Sequence, residues 1–425
     1  MSLSLLEKDR RYIWHPYTQM LTAPAPLPIV RAKDTLLYDD QGNAYIDAVA
    51  SWWVNPHGHA KEYIAKKVMA QMLELEHVIF AGFTHQPAVE LAERLLKVLP
   101  SNQSKVFFSD NGSTAVEIGI KMAIQYFHNL GKPRSRLIAF DHGFHGETFG
   151  AMSASGDLSL NNPFKQQLFS VDRIPVPVPG KEAESIQALK AALAGGDVYA
   201  FLFEPLVLGA GGMLMYEPEV LDELITICHE NDVLCIADEV MTGFGRTGKL
   251  FACNYLKTAP DIMCLSKCLT GGTLPMATTI CTQDIFDAFL SEDKYKTFFH
   301  GHSYTANPVG CAAALASLDL FEDPACWKQI RMIEASHEKY QEKIKDHPRL
   351  RAIRQRGTIL ALEFSSPEDT SYFNEIRDQL YDFFLKNGVL LRPLGNVIYI
   401  MPPYCITKAQ LNKVYQLIKQ ALDQF

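Results

Sequence analysis

Short apolar runs recur through the middle of the chain, each separated from the next by a stretch with helical spacing. We predict strands at Val106–Phe108, Leu137–Phe140, Tyr199–Phe203, Leu234–Ala237 and Ile262–Leu265. Runs that are apolar on both faces and alternate with helices are typical of a mostly parallel sheet covered by helices. The middle of the chain therefore predicts an α/β fold.

Two of the intervening helices are well marked. One runs from Thr114 to Asn129. The other begins at Pro218, because proline suits the first turn of a helix, and extends to Asn231. Its apolar face is formed by Leu221, Leu224, Ile225 and Cys228. This spacing indicates helices that pack one face against the sheet.

The pattern changes after Cys311. Helical segments at Ala312–Phe321 and Ala409–Phe425 surround strand-like runs at Ile359–Phe364, Val389–Arg392 and Val397–Met401. We predict a large α/β domain over residues 51–311 and a smaller α+β domain formed by residues 1–50 and 312–425. The sequence is also compatible with packing of the first fifty residues against the larger domain.

The composition excludes some classes of protein but does not identify a function. The 425 residues include 40 Lys and Arg and 48 Asp and Glu, which gives a net charge of −8. The chain therefore lacks the excess of basic residues that is typical of proteins that bind nucleic acid or an anionic membrane. No run approaches the roughly 18 apolar residues of a membrane span. We expect no secretion signal in residues 1–10, since they lack an apolar segment. The nine cysteines are scattered and odd in number, which indicates a reduced, cytoplasmic protein.

Small and polar residues follow the first predicted strand. The segment Ser109–Thr114, which contains Gly112 and Ser113, leads into a helix. Small residues let the backbone approach a phosphate, and the free amides of a helix start favour an anion. The same segment is also compatible with an ordinary strand-to-helix turn capped by Asp or Ser.

An acid and a lysine follow two further predicted strands. Asp238 comes directly after Leu234–Ala237, and Lys267 comes shortly after Ile262–Leu265. Burial lowers the pKa of a lysine amine and makes it a nucleophile for carbonyl groups. Taken singly, Asp238 is compatible with a helix cap and Lys267 with a surface lysine.

The order of these three features matches the needs of a pyridoxal 5′-phosphate site. In an open α/β sheet, ligands bind at the carboxyl ends of the strands, where Gly112, Asp238 and Lys267 are all expected. The phosphate needs a helix start, the ring nitrogen needs a carboxylate that keeps it protonated, and the aldehyde needs a lysine. The combination predicts an enzyme that uses this cofactor.

The chain resembles the class III (omega) aminotransferases of fold type I. The segments that carry this resemblance are Ile236–Glu239, Gly243–Gly248 and Leu265–Lys267. A closer resemblance, to the members of this family that aminate 8-amino-7-oxononanoate in biotin biosynthesis, is carried by Trp14–Thr18, Ser51–Trp53, Phe251–Cys253, Leu269–Thr273 and Ile400–Tyr404. It implies an aspartate aminotransferase-like fold and a homodimer with its active site at the interface.

The resemblance also implies a role for each matching residue. Lys267 binds the aldehyde of the cofactor, and Asp238 pairs with its ring nitrogen. The residues implied to contact the cofactor are Gly112, Ser113, Phe144, Glu204, Asp238, Lys267, His302 and Ser303, the last from the second subunit. Those implied to contact substrate are Tyr17, Trp52, Phe144, Gly301, Arg392 and Tyr399. A guanidinium fork suits a carboxylate, so Arg392 is expected to bind that group of the substrate.

Phe144 departs from the family pattern. Where the family usually has tyrosine in a Gly-Tyr-His-Gly segment, this chain has Phe144 within Gly143–Gly146. Phenylalanine keeps the aromatic face but lacks a hydroxyl that can bond near the amino-acid end of the donor. We expect S-adenosylmethionine as the donor, with lysine as the alternative, because a smaller donor depends less on that hydroxyl.

Several alternatives stay open on the sequence alone. Trp52 and Trp53 are compatible with core aromatics, and Arg392 with a surface ion pair. No metal is expected, because no metal motif accompanies the pairs His57/His59, His142/His145 and His300/His302. The rival functions are an ornithine or 4-aminobutyrate aminotransferase of the same family, and a protein of this fold that binds ligand without catalysis.

Overall fold

The computed structural model describes residues 3–156, 159–366 and 374–425. The strands in these ranges are β1 (Ile29–Lys33), β2 (Leu36–Asp39), β3 (Ala44–Asp47), β4 (Gln103–Ser109), β5 (Arg136–Phe140), β6 (Asp172–Ile174), β7 (Val198–Phe203), β8 (Val207–Leu208), β9 (Leu214–Met215), β10 (Leu234–Asp238), β11 (Ile262–Leu265), β12 (Ala277–Thr282), β13 (Leu350–Arg356), β14 (Ile359–Phe364), β15 (Val389–Leu390) and β16 (Val397–Ile400).

The helices alternate with these strands through the middle of the chain. The α-helices are α1 (Leu5–Tyr12), α2 (Ala50–Trp53), α3 (Glu62–Glu74), α4 (Gln86–Val98), α5 (Gly112–Asn129), α6 (Phe149–Ala154), α7 (Glu182–Ala194), α8 (Pro218–Glu230), α9 (Gln283–Asp287), α10 (Pro308–Glu322), α11 (Pro324–Ile344), α12 (Ile376–Lys386) and α13 (Lys408–Gln424). Short 3-10 turns lie at Ser159–Gln167, Ala252–Tyr255, Lys267–Thr270 and Lys294–Lys296. None of the helices in the described ranges is long and apolar enough to cross a bilayer.

A seven-stranded sheet forms the centre of the molecule, in the order β4-β12-β11-β10-β7-β5-β6. Neighbouring strands from β11 to β6 run parallel, whereas β12 is antiparallel to both of its neighbours. The prediction of a mostly parallel α/β sheet is confirmed. Because β4, β10 and β11 point the same way, the segments that follow them meet at one edge of the sheet.

Strand β12 was not predicted from the sequence. Three of its six residues are threonines, and Thr278 and Thr279 are fully buried. The Thr279 hydroxyl donates to the carbonyl oxygen of Ala115 at 2.8 Å, which satisfies its polar group inside the sheet–helix interface. At Thr279, hydrogen bonding to a neighbouring helix therefore lets a hydroxyl lie inside an interior strand.

The other predicted elements agree with the structure except at their ends. Helix α5 begins at Gly112, two residues before the predicted Thr114. The strand predicted at Val389–Arg392 is wrong in its second half, since β15 ends at Leu390. Strand β15 pairs with β3 at two residues only. Because β3 ends at Asp47, it offers no further residue that could pair with Arg392.

The pairing of β15 with β3 links the two ends of the chain. β1, β2, β3 and β15 form one four-stranded sheet, and β13, β14 and β16 form another. This pairing supports the assignment of residues 1–50 to the smaller domain with residues 312–425; the boundaries themselves stay a prediction. One large apolar core extends through both parts and includes Trp53, Phe203 and Tyr399.

Candidate active site

A pocket of about 450 Å³ opens where the segments after β4, β5, β7, β10 and β11 come together. Six of the residues singled out in the sequence line it: Gly112, Ser113, Phe144, Glu204, Asp238 and Lys267. They come from five separate segments of the chain. The carboxyl edge of the sheet therefore brings together the helix start, the acid and the lysine, as the order of the motifs predicts.

The start of α5 forms one wall of the pocket. Asn111 caps this helix by accepting a hydrogen bond from the Thr114 amide at 3.1 Å, so the cap is neither the Asp nor the Ser that the sequence suggested. A Cβ added to Gly112 would lie 2.7 Å from Val240 Cγ1, and one added to Gly146 would lie 2.2 Å from Ser113 Oγ. The wall is thus close-packed backbone whose first-turn amides favour an anion.

Asp238 lies at the end of β10, with its carboxylate held from two sides. Its Oδ2 is 2.8 Å from His145 Nδ1, and its Oδ1 accepts from the Val240 amide at 3.1 Å. Both side chains are buried. Among the described residues, His145 Nε2 has no hydrogen-bond partner. The sequence singled out Asp238 but considered His145 only as half of the pair His142/His145, and so missed its contact with Asp238.

Lys267 projects from a strained position two residues after the end of β11. Its φ of 47° lies in the left-handed region, which costs energy in a non-glycine residue and is common at functional sites. The Nζ atom lies 4.5 Å from the ring centre of Trp53. Burial lowers the pKa of the Lys267 amine, and the charges of Asp238 and Glu204 oppose this shift only partly. Compared with a lysine in water, the unprotonated and nucleophilic form of the amine is therefore easier to reach.

Glu204 positions the backbone of the pocket. Its Oε1 accepts from the Phe144 amide and its Oε2 from the Gly209 amide, both at 2.9 Å. Burial raises the pKa of this carboxyl to about 7, and the nearby Asp238 adds to the rise. The carboxyl therefore ties the segment that carries Phe144 to the segment after β7.

Trp53 connects the pocket to the C-terminal part of the chain. Its indole Nε1 donates to the Tyr399 hydroxyl at 3.0 Å, and its carbonyl accepts from Arg246 and Cys268, both at 3.3 Å. Arg246 is fully buried and also donates to the carbonyl of Pro402 at 2.8 Å. Tyr399 thus supports Trp53 and does not itself line the pocket. The sequence missed the role of Arg246, because its burial depends on distant segments.

Tyr17, Trp52 and Arg392 form a second group beside the pocket. The rings of Tyr17 and Trp52 meet edge to face at 5.4 Å, and the Arg392 guanidinium carbon lies 4.4 Å from the Trp52 ring centre. The Tyr17 hydroxyl donates to Glu147, whose amide donates to Ser113 Oγ at 3.1 Å. Trp52 is 38% exposed, so it is not a core residue, whereas Trp53 is 4% exposed. These contacts place an apolar face and a guanidinium group next to the helix start.

The segment Gly301–Ser303 lies apart from the pocket of its own chain. Gly301 and Ser303 are exposed, and His302 is half-buried. His302 Nδ1 accepts from the Tyr304 amide at 3.2 Å, while within the described ranges its buried Nε2 has no partner. A single chain therefore does not bring these three residues to Lys267.

The family model of the class III aminotransferases matches residues 17–422. The chain belongs to this family. As a member of it, the chain has the fold type I architecture that the motifs predicted, and the family implies dependence on pyridoxal phosphate.

Relatives of this aminotransferase are similar over nearly their whole length. An adenosylmethionine-8-amino-7-oxononanoate aminotransferase of Synechococcus elongatus is 48% identical, over 97% of this chain and 99% of that one. One of Geobacter sulfurreducens is 41% identical, over 96% and 95%. The crystal structure of the Methanocaldococcus jannaschii enzyme of the same name superposes with a TM-score of 0.92 at 36% identity, covering 98% of both chains. An omega transaminase of Pseudomonas jessenii, solved in complex with PMP, has a TM-score of 0.91 at 28% identity, over 99% of this chain and 98% of that one.

Proposed function

We propose that this aminotransferase moves an amino group from S-adenosylmethionine to 8-amino-7-oxononanoate and so makes 7,8-diaminononanoate for biotin biosynthesis. The observation that carries the proposal is the pocket that joins Lys267, Asp238 and the start of α5. Relatives that cover almost the entire chain bear the name of this activity. Lysine is the alternative donor, because Phe144 lacks the hydroxyl that the family usually has.

The pocket suits pyridoxal phosphate in three respects. Gly112 and Ser113 line the pocket in the first turn of α5, where their free amides would hold the phosphate. Asp238, already oriented by His145, would pair with the ring nitrogen, and the amine of Lys267 would bind the aldehyde. When bound, this cofactor withdraws electrons from the carbon that carries the amino group, which makes a proton on that carbon easier to remove.

Lys267 then moves the proton. Burial lowers the pKa of its amine, which favours the unprotonated form. Once the incoming amine has displaced Lys267 from the aldehyde, Nζ would take a proton from the amino-bearing carbon of the donor and pass it to the cofactor. In the other half-reaction Nζ would take a proton back from the cofactor and give it to the former carbonyl carbon of the acceptor. Trp53, 4.5 Å from Nζ, shields one side of the amine from water and keeps the proton between lysine and substrate.

Tyr17, Trp52 and Arg392 would bind the oxo-acid. A nonanoate has a long aliphatic chain and a remote carboxylate, and Trp52 offers an apolar face next to the guanidinium group of Arg392. Among the described residues, no carboxylate forms an ion pair with Arg392, which supports its availability for the substrate. Tyr399 would act through its hydrogen bond to Trp53.

We further propose that the enzyme is a cytoplasmic homodimer. Gly301 and Ser303 are exposed and lie apart from the pocket of their own chain, so they would complete the pocket of the second subunit. Nε2 of His302 has no hydrogen-bond partner within the part of the chain that the structure describes, which supports a contact with a group outside this chain.

A single-turnover experiment tests the donor and the acceptor separately. Purified enzyme with bound pyridoxal phosphate is mixed with S-adenosylmethionine or with lysine, and the absorbance of the bound cofactor is followed. The converted enzyme then receives 8-amino-7-oxononanoate, and 7,8-diaminononanoate is measured. Rapid conversion by lysine and none by S-adenosylmethionine would overturn the proposed donor. Conversion by ornithine or 4-aminobutyrate, with no use of 8-amino-7-oxononanoate, would overturn the proposed acceptor.

A further inference from the structure

Three potential metal ligands lie at the amino ends of strands of the central sheet, whereas the pocket lies at the carboxyl ends. His229 is in the last turn of α8, Cys235 is the second residue of β10, and Asp261 precedes β11. One ligand atom from each lies within 4.8 Å of the other two. Asp238 is at the far end of β10, about 10 Å along the strand from Cys235 at the usual rise per residue. The cluster is therefore separate from the site that contains Lys267.

The three donor atoms are an imidazole nitrogen, a sulfur and a carboxylate oxygen. This mixed set suits zinc, which accepts all three donors, and does not suit magnesium or calcium, which take oxygen ligands. Two ligand atoms on a tetrahedral zinc ion are about 3.3–3.6 Å apart, given the usual zinc–ligand bond lengths. Atoms that already lie within 4.8 Å of one another need only small side-chain movements to reach that geometry.

Existing hydrogen bonds hold the cluster in place. Asp261 Oδ2 accepts from the Cys235 amide at 2.7 Å and lies 2.9 Å from His229 Nε2. The bond from the Cys235 amide orients the carboxylate independently of any ion, as supporting bonds do in metal sites. The contact between His229 and Asp261 keeps a nitrogen and an oxygen close together, and a bound ion would replace the hydrogen bond between them.

The cluster is accessible to solvent from one side. The side chains of His229 and Asp261 are 35% and 18% exposed, while Cys235 is fully buried. An ion can therefore reach the three ligand atoms past His229 and Asp261.

We propose that His229, Cys235 and Asp261 bind one zinc ion per chain, with water in the fourth position on the side where His229 is exposed. The histidine pairs considered in the sequence do not include these residues, which come from three elements. The ion would join α8, β10 and β11 behind the active site. Its expected effect is a higher melting temperature with unchanged transamination.

Cobalt binding provides a direct test. Tag-free enzyme with pyridoxal phosphate bound is titrated with Co²⁺ alone, and the absorbance of cobalt–thiolate charge transfer is followed. Competition by Zn²⁺ then gives the zinc affinity. We expect one bound ion per chain. Cys235→Ser should abolish the thiolate band, and His229→Asn, at the exposed end of a helix, should weaken zinc binding by about tenfold or more.

Two matched variants serve as controls. His347→Asn removes a histidine that lies 3.2 Å from Asp423, in a pair without a cysteine. Cys281→Ser removes a buried cysteine of β12. Both should bind Co²⁺ and Zn²⁺ like the unaltered enzyme. Absence of the thiolate band in the unaltered enzyme would overturn the proposal. So would retention of that band in Cys235→Ser, or an equal loss of affinity in the His229 and His347 variants.

Discussion

Replacement of Arg392 by alanine should impair the use of the oxo-acid far more than the use of the amino donor. The Arg392 guanidinium group lies 4.4 Å from the Trp52 ring, and no described carboxylate neutralises it. Its charge is thus available for a carboxylate that the substrate brings. A hydrogen bond to a charged group contributes about 1.5–3 kcal/mol. Its loss corresponds to a fall of roughly 10- to 150-fold in kcat/KM for the oxo-acid.

A lysine at position 392 tests whether the positive charge or the planar shape of the guanidinium group matters more. Arg392→Lys keeps a positive charge but loses the planar fork that can bond both oxygens of a carboxylate. We therefore expect a defect between those of the alanine variant and the unaltered enzyme. Arg31→Ala is the matched control, because Arg31 also stacks on an aromatic ring, 3.5 Å from the centre of Tyr38, outside the pocket.

The assay follows each half-reaction by itself. Donor is mixed with the enzyme while the absorbance of the bound cofactor is recorded, and the converted enzyme is then mixed with increasing 8-amino-7-oxononanoate. The rate constant for the donor should change little in Arg392→Ala. An equal loss in both half-reactions, or a loss of the same size in Arg31→Ala, would refute the assignment of Arg392 to the oxo-acid carboxylate.

The remaining predictions concern the pocket. Lys267→Ala should abolish turnover without changing the circular dichroism spectrum; turnover at a comparable rate would contradict its role. Asp238→Asn should bind cofactor but lower kcat by about 100-fold, or about 2.7 kcal/mol, and near-normal kcat would show that Asp238 only organises the backbone. Phe144→Tyr should raise the rate with S-adenosylmethionine relative to lysine, and an unchanged ratio would exclude this residue as the determinant. Burial raises the pKa of Glu204 from 4.5 to about 7. The carboxyl therefore binds its proton more tightly in the folded protein than in the unfolded chain, and this contributes about 3 kcal/mol to the free energy of unfolding. The contribution is fully present below pH 4.5 and is lost as the pH rises through 7. Urea unfolding of the cofactor-free protein should therefore show a flatter pH dependence for Glu204→Gln, and an identical pH profile would contradict the shift.

Local features of the sequence were enough for five of the seven strands of the central sheet and for the main chemical groups of the pocket. Apolar runs on both faces of a strand identify a buried parallel sheet, and the rule that ligands bind at strand ends then brings Gly112, Asp238 and Lys267 together. The segment of β12 escaped the same reasoning, because the burial of Thr279 depends on the carbonyl of Ala115 in another element.

Only the tertiary structure decided how these groups are supported. His145 orients Asp238 across 93 residues of sequence, and Trp53 bonds Tyr399 across 346. The zinc ligands likewise come from α8, β10 and the residue before β11. Periodicity and motifs report on neighbours within a few turns of chain, whereas contacts of this kind depend on how whole elements pack. The sequence therefore predicted which groups perform the chemistry, and the packing determined their orientation, their burial and the direction in which the pKa of Lys267 is shifted.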